Sequence, residues 1–326
     1  MIRSVVYTPE GVEYYDDDVE RARDATGTTW VRASNATAEE LDRVAEAFGI
    51  HPLSVEDVGR DLRPKTEEFP SHTVVLVKTA SLRRGETTFE EELRTAQLGL
   101  FVGDDWLVTL SVSEIDAAER VWTSVGTGEA RLLRFGPDFT AYRILDRIVD
   151  DYFVLLDSIE ETIEEIEEGV LDGPDADVLE GLNVVRRDLL SVRKLLGPTR
   201  EAVGILARGD PDHVRESTEK YYRDVYDHLV QLVDLTETYR DLARGARDIY
   251  LNTVSQSTNE VMKTLTVVAT IILPLTLVVG VFGMNFSGDP TNMPELGWRY
   301  SYPAVMLGMA SVSLVMLVYF RQEGWL

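Results

Sequence analysis

The last apolar part of the chain contains a row of residues that suits the passage of a cation. If residues 259–280 form a helix, seven side chains fall on one face at alternating spacings of three and four residues. They are Asn259, Met262, Thr266, Ala269, Leu273, Thr276 and Gly280. Polar rings could pass a hydrated ion, and apolar rings of Leu273 and the neighbouring Leu265 could close a pore by dewetting. Small and hydroxyl residues are also typical of helix–helix contacts, so the spacing leaves both interpretations open.

The tripeptide Gly283-Met284-Asn285 follows this row, where the predicted helix runs out. It offers backbone carbonyls, a thioether and one amide, none of which supports acid–base or nucleophilic catalysis. Mg²⁺ dehydrates reluctantly and prefers octahedral oxygen ligation, so neutral oxygens that hydrogen-bond its waters suit it. A carboxylate ring would hold the ion more tightly and release it slowly. Gly and Asn also end ordinary helices, but their place after a Pro-containing apolar helix and before Met-Pro-Glu-Leu favours ion binding.

Composition and charge exclude several classes of function. The 326 residues are 44 % hydrophobic and 27 % charged, and 57 acidic residues give a net charge of −25, which argues against nucleic-acid binding. Most of these acids are interpreted as a solvated surface. The absence of cysteine excludes disulfides and thiolate sites, and the four histidines show no metal-ligand spacing. Glu56-Asp57 is better explained by a helix-start or loop position than by catalysis, so the sequence predicts no enzyme.

Residues 1–135 alternate strand-like runs with one clear helix. The predicted strands, rich in β-branched and aromatic residues, are 4–8, 72–81, 94–103 and 106–113. A helix is predicted over 37–50, with Thr37 as N-cap, Glu40 completing a capping box and Gly49 at its end. This alternation predicts an α/β domain. Because the chain opens on a strand rather than a signal peptide, its N-terminus is expected in the cytosol.

Long helices are predicted after residue 138. The first ends at Asp-Gly-Pro-Asp (172–175), and the second covers about 176–208 and is expected to be interrupted or to end near Leu-Leu-Gly-Pro-Thr-Arg (195–200). From His213 to Phe282 the chain contains one proline, Pro274, and one glycine before residue 280, Gly245. One helix over this stretch would reach ~100 Å at 1.5 Å per residue, so a stalk or coiled coil is predicted.

Two uncharged segments, 265–282 and 301–320, have the length that a helix needs to cross a bilayer. Buried core helices are the alternative, but two such segments in so acidic a chain argue against it. The short connection predicts a hairpin with both ends on the cytoplasmic side. Lys263 and Arg321 flank the hairpin inside and Arg299 lies in the outer loop, which gives modest support from the positive-inside rule.

Residues 258–298, from Thr-Asn-Glu-Val-Met-Lys to Met-Pro-Glu-Leu-Gly-Trp, resemble the pore signature of the CorA family of divalent-cation transporters. Residues 49–69 resemble the N-terminal domain of that family, and the final Tyr-Phe-Arg-Gln-Glu-Gly-Trp-Leu resembles its C-terminal tail. The likeness therefore covers essentially the whole chain. It implies an α+β cytoplasmic domain (an α/β/α sandwich), long stalk helices and two transmembrane helices in a funnel-shaped homopentamer of the plasma membrane, with both termini cytoplasmic.

The resemblance also implies domain boundaries. These are 1–135 for the cytoplasmic domain, 136–263 for the stalk, 264–285 for the pore-lining transmembrane helix, 286–300 for the extracellular loop, 301–320 for the second transmembrane helix and 321–326 for the cytoplasmic tail.

Site residues follow from the same resemblance. It implies that Gly283, Met284 and Asn285 form a selectivity filter in which Gly283 and Asn285 capture hydrated Mg²⁺. It assigns deeper polar rings to Asn259 and Thr276 and a hydrophobic constriction to Leu265 and Leu273. The helical spacing adds the rest of the predicted pore lining, which is Met262, Thr266, Ala269 and Gly280.

Two departures from the family pattern lie near the filter. Phe282 stands where the family commonly has Tyr, which removes a hydroxyl and keeps the ring. The loop 287–292 is longer than usual before Met-Pro-Glu, where Asp289 and Glu295 are candidates for the outer mouth. Glu295 is expected to attract cations electrostatically.

Regulation by cytosolic divalent ions held between neighbouring subunits is also implied. Asp224 and Asp248 on the stalk fall where such carboxylates are expected, and Phe-Glu-Glu-Glu (89–92) is one candidate for their partner. Facing carboxylates repel unless a cation lies between them, so bound Mg²⁺ would stabilise a closed ring. The alternative is that these acids are simply solvated.

The favoured function is a Mg²⁺ channel driven by the membrane potential, with Mg²⁺ as both transported and regulatory ion. Transport of Co²⁺, Ni²⁺ or Zn²⁺ on the same scaffold is the alternative, although the scarcity of His and the lack of Cys argue gently against a soft-metal filter. A different class of function is a membrane-tethered sensor or scaffold, in which the hairpin only anchors the rest of the chain.

Overall fold

A computed structural model describes residues 1–60, 62–84, 91–127, 131–172, 175–284 and 293–325. The chain divides into two compact units, Met1–Arg247 and Asp248–Leu326. The first unit contains a mixed sheet with helices on both faces, and the second contains two apolar helical segments.

The sheet of the first unit has seven strands within the described residues. They are β1 (Ile2–Thr8), β2 (Gly11–Tyr14), β3 (Thr28–Ala33), β4 (Lys65–Phe69), β5 (His72–Arg84), β6 (Glu91–Val102) and β7 (Trp106–Leu110). Their order is β2-β1-β3-β7-β6-β5-β4. Neighbours pair antiparallel except for β3 and β7, which are parallel, with Val31 opposite Val108.

Helices cover both faces of this sheet, as the α/β/α prediction requires. On one face lie α1 (Val19–Asp24), α2 (Ala38–Phe48) and α3 (Pro52–Gly59), whose apolar residues share a buried core with β3 and β7. On the other face lie α4 (Asp116–Gly126), α5 (Arg131–Arg134), α6 (Pro137–Asp172) and α7 (Ala176–Ala207). There the rings of Trp30 and Trp122 meet edge-on at 4.9 Å, and Thr66 Oγ1 donates to Ala202 O at 2.9 Å. The sandwich is confirmed.

The start and end of α2 follow from its local sequence. Thr37 Oγ1 accepts from Glu40 N at 3.2 Å, and Glu40 Oε2 accepts from Thr37 N at 2.9 Å, so the predicted capping box is confirmed. The hydrogen bond from Thr37 also lowers the pKa of Glu40. Gly49 ends the helix at φ 64°, a left-handed conformation that glycine adopts without strain.

The predicted strands are confirmed as β1, β5, β6 and β7, although their ends differ; the run predicted over 106–113 ends as a strand at Leu110. The predicted break near 195–200 is wrong, because α7 continues through Pro198. Buried Leu195, Leu196 and Val203 hold this part of the helix against its neighbours, and Thr199 Oγ1 donates to Leu195 O at 2.8 Å.

The two remaining long helices match the predicted pattern. The long helix expected over 213–282 is confirmed as α8 (Glu216–Phe282), which has 67 residues. Pro294–Gly297 forms one 3₁₀ turn, and α9 (Ser301–Gln322) follows it. Among the described residues, α8 and α9 are the helices that are long and apolar enough to cross a membrane, with mean hydropathies of 2.5 and 2.0 over 18 residues.

Candidate functional site

The row of predicted pore residues lies along α8 in the second unit. Asn259, Met262, Leu265, Thr266, Leu273, Thr276 and Gly280 are exposed in a single chain, and Ala269 is half-buried. Leu265 and Leu273 are each 67 % exposed, whereas Val267, at another angle on the helix, is 3 % exposed. A covering for the row must therefore come from lipid or from other copies of the chain. Its side-chain oxygens have acceptor lone pairs that water can satisfy and hydrocarbon cannot.

The threonine hydroxyls of this helix are oriented by their own backbone. Thr266 Oγ1 donates to Met262 O at 2.7 Å, and Thr276 Oγ1 donates to Ile272 O at 3.0 Å. Each hydroxyl proton is thereby used within the helix, and the oxygen keeps its lone pairs for an acceptor role. Such oxygens can accept hydrogen bonds from the waters of a hydrated cation.

Pro274 adds a further oxygen to this part of α8. Proline has no N–H, so the carbonyl of Thr270 cannot receive the usual helical hydrogen bond from residue 274. The Thr270 hydroxyl does not replace this donor, because its Oγ1 donates to Thr266 O at 2.7 Å. Without a donor at residue 274, the Thr270 carbonyl can accept a hydrogen bond from water or from a neighbouring helix.

The C-terminal end of α8 leads into the predicted filter. Gly283 N donates to Val279 O at 2.9 Å and Met284 N to Val281 O at 3.2 Å, so a turn closes the helix at this point. A Cβ atom on Gly283 would lie 3.0 Å from Val279 O, which favours glycine here. Met284 is 47 % exposed. Asn285, Asp289 and the loop 287–292 lie outside the described residues, and their assignments stay predictions.

Aromatic residues follow this loop. Glu295 is exposed on the 3₁₀ turn, where its carbonyl accepts from Trp298 N at 3.2 Å. Trp298, Tyr300 and Tyr302 are all more than half exposed at the start of α9. Exposed Trp and Tyr at the end of an apolar helix are typical of the membrane–water interface.

A contact at the start of the apolar segment of α8 was not predicted from the sequence. Lys263 Nζ donates to Gly324 O at 2.6 Å, and Trp325 N donates to Phe320 O at 2.8 Å, so the C-terminal tail is fixed beside α8. An open groove of about 550 Å³ separates the tail from Asn259, Met262 and Thr266. The positive charge of Lys263 also interacts favourably with the last carbonyls of α9, which form the negative end of the helix dipole.

The proposed regulatory residues do not form a metal site within one chain. Asp224 and Asp248 are both exposed on α8, and no three His, Asp or Glu side chains among the described residues lie close enough to hold a metal ion. Tyr142 of α6 lies near Asp224: burial raises the pKa of Tyr142, and the charges of Asp146 and Asp224 raise it further. The side chains of residues 89–92 lie outside what the structure describes.

Other candidate groups have local partners. Glu56 and Asp57 lie in α3, where they pair with Arg60 and Lys65; the Asp57–Lys65 distance is 2.8 Å. His72 and His213, distant in sequence, lie near each other beside Thr73. Burial and the nearby charge of His213 lower the pKa of His72 to about 4, so His72 is neutral at physiological pH.

A helix-covered mixed sheet and two long apolar helices, the 67-residue α8 and α9 with aromatic residues at its start, define a membrane protein. The chain belongs to the CorA family: the family model described as CorA-like Mg²⁺ transporter protein matches residues 25–322. This is a family of transporters and not of enzymes.

Relatives and a solved structure cover nearly the whole chain. The Cobalt/magnesium transport protein CorA of Thermotoga maritima is 35 % identical over 96 % of this chain and 89 % of its own. The Putative metal ion transporter YfjQ of Bacillus subtilis is 33 % identical over 91 % of this chain and 89 % of its own. The complete structure of the CorA magnesium transporter from Methanocaldococcus jannaschii matches with a TM-score of 0.83 and 25 % identity, covering 100 % of this chain and 99 % of that one.

Proposed function

We propose that this protein conducts hydrated Mg²⁺ into the cell through a pore lined by α8. The observation that carries the proposal is the row from Asn259 to Gly280, whose hydroxyl protons are bound within the helix and whose oxygens remain acceptors. Family membership supports the transport of divalent cations. A pore of neutral oxygens suits an ion that keeps its water shell, because each ligand contacts water rather than the bare ion.

The driving force is the membrane potential. A charge that crosses 100 mV gains ~2.3 kcal/mol, and a dication gains about twice that. This is enough to concentrate Mg²⁺ in the cytosol without a second energy source. Leu265 and Leu273, each 67 % exposed in one chain, form the rings at which the pore closes by dewetting.

The pore requires several copies of the chain around one axis. We propose a homopentamer with the boundaries assigned from the sequence: residues 1–135 and 136–263 in the cytoplasm, 264–285 and 301–320 in the membrane, and 286–300 outside. Exposed Trp298, Tyr300 and Tyr302 support placing the start of α9 at the outer membrane–water interface. Lys263 and Arg321 support placing the opposite ends of the two apolar segments on the cytoplasmic side.

Co²⁺ is a second candidate substrate, and the printed name of the Thermotoga maritima relative supports it. An uptake assay distinguishes the candidate ions: the purified protein is placed in liposomes that contain a divalent-sensitive dye. We expect Mg²⁺ and Co²⁺ uptake that increases with an inside-negative potential, and slower uptake of Ni²⁺ and Zn²⁺. Liposomes that take up no divalent ion would favour a tethered sensor or scaffold and contradict the proposal.

We also propose that cytosolic Mg²⁺ bound between subunits by Asp224 and Asp248 stabilises the closed ring. Both side chains are exposed and available to a neighbouring copy. Two carboxylates that face each other across an interface repel, and a bound dication removes that repulsion. Falling Mg²⁺ would then loosen the ring and open the pore.

Replacing both Asp224 and Asp248 by Ala should weaken the protection that Mg²⁺ gives against proteolysis. The measurement is the rate of trypsin cleavage across a Mg²⁺ titration, and the midpoint should move to higher Mg²⁺. The matched control is Asp227→Ala with Asp234→Ala, which removes two exposed acids from the same helix. An unchanged midpoint in the first pair would remove these residues from the sensor.

A further inference from the structure

A cleft between α7 and α8 in the first unit gathers four arginine side chains. Arg186 comes from α7, and Arg240, Arg244 and Arg247 come from α8; the cleft volume is about 230 Å³. Buried Leu182, Leu189 and Ala243 also line it. Such a concentration of positive charge is unexpected in a chain with a net charge of −25.

The arginines of the cleft are poorly neutralised by the chain itself. Arg244 Nη1 lies 3.0 Å from Asp241 Oδ1, and Arg240 Nε lies 3.6 Å from the same oxygen. Across the described part of the chain, Arg186 and Arg247 form no ion pair, and the buried Arg240 Nε has no hydrogen-bond partner. Four positive charges thus share one carboxylate.

The spacing of these charges indicates an extended anion. Arg240, Arg244 and Arg247 follow one another on one face of α8, over ~10 Å at 1.5 Å per residue. Arg186 faces them from α7 across the cleft. The planar guanidinium group donates two parallel hydrogen bonds to phosphate oxygens, and a chain of phosphates places such oxygens along a line. A single carboxylate would neutralise only one of the four.

We propose that the arginine cleft, defined by Arg186, Arg240, Arg244 and Arg247, binds a soluble triphosphate-bearing anion. The apolar wall of Leu182, Leu189 and Ala243 limits water around the phosphates and strengthens their pairing with arginine. All lining residues belong to the unit Met1–Arg247 rather than to the predicted membrane spans, which favours a soluble ligand over a lipid headgroup. The proposal does not depend on Mg²⁺ transport.

Calorimetric titration of the full-length protein in detergent tests this site. The probes are sodium tripolyphosphate and ATP, each without divalent ions so that chelation does not contribute. We expect saturable binding of both, and binding about tenfold weaker or less in Arg244→Gln with Arg247→Gln. Arg244→Lys with Arg247→Lys should retain part of the affinity. The matched control is Arg60→Gln with Arg208→Gln, two exposed arginines that pair with neighbouring acids elsewhere in the same unit.

Three results would overturn the proposal. The first is no binding of either probe at ~1 mM; dissociation of the cleft variant into single chains would then show that the arginines pair with acids of another copy. The second is an equal loss of affinity in the cleft and control variants. The third is binding only to vesicles that contain anionic phospholipid, which would assign the cleft to a headgroup. Thermal unfolding of each variant checks that the fold is retained.

Discussion

Asn285→Ala is expected to abolish Mg²⁺ uptake while the oligomer stays intact. The side-chain amide supplies a neutral oxygen at the outer end of the proposed pore, directly after Gly283 and Met284. The substitution removes that oxygen from every copy in the ring at once. A hydrated ion would then lose its hydrogen-bond acceptors at the place where it must first leave bulk water. Because Ala retains the backbone, the assembly should not change.

Flux into liposomes and the elution volume of the detergent-solubilised protein measure the two parts of this result. Asn252→Ala, an exposed amide substitution on the same helix, serves as the control and should conduct like the parent. Asn285→Asp provides a contrast, because a ring of carboxylates should bind Mg²⁺ more tightly and release it more slowly. Parent-like flux in Asn285→Ala would show that this amide does not select the ion, and would favour the tethered sensor.

Trp30→Ala should cause the largest loss of stability in the first unit. Trp30 is fully buried on β3, meets Trp122 of α4 at 4.9 Å, and donates from Nε1 to Thr109 Oγ1 at 3.2 Å. Its removal leaves a cavity between the sheet and the α4–α7 layer and takes away one buried hydrogen bond. Substitutions of this type cost ~3–5 kcal/mol.

Urea unfolding of the full-length protein, followed by circular dichroism, measures this loss. Trp30→Phe keeps an aromatic ring beside Trp122 and loses the N–H donor, so it should cost less than Trp30→Ala. Tyr14→Ala is the exposed control, since Tyr14 is 51 % exposed and contacts the same Trp122 at 6.4 Å. A loss below ~1 kcal/mol in Trp30→Ala would mean that the α4 layer does not depend on this contact.

Much of the fold could be predicted from local sequence signals. Thr37 and Glu40 form the capping box that their spacing predicts, and Gly49 takes the left-handed conformation that ends α2. The scarcity of helix-breaking residues before Pro274 is reflected in the unbroken α8. These features depend on interactions between residues that are close in sequence, so the sequence shows them directly.

Features that depend on distant partners could not be predicted. β3 has no polar–apolar alternation because nearly all of it is buried, including Arg32, which pairs with Glu119 of α4. β4 contains mostly charged and polar residues, yet pairs along β5 at the edge of the sheet. Pro198 predicts a break in α7, but the packing of Leu195, Leu196 and Val203 keeps the helix continuous. In each case tertiary packing outweighs local preference.

In the candidate site too, features that depend on residues close in sequence could be predicted, and features that depend on distant partners could not. The row on α8 follows from helical spacing once the helix is present, and its role as a pore lining stays a prediction. The hydrogen bond from Lys263 to Gly324 joins residues far apart in sequence, and the arginine cleft requires α7 to lie beside α8. Three of its arginines are visible as a helical repeat, but their convergence with Arg186 is not.

Between Thr264 and Met284 the chain contains no side chain that can gain or lose a proton in the physiological range. The oxygens of the proposed lining are hydroxyls whose protons are donated to the backbone, together with carbonyls. Acidification should therefore leave the intrinsic permeability of this stretch unchanged, and protons have no side-chain relay along it. Any acid sensitivity of the intact protein would have to originate in the carboxylates and histidines outside the bilayer.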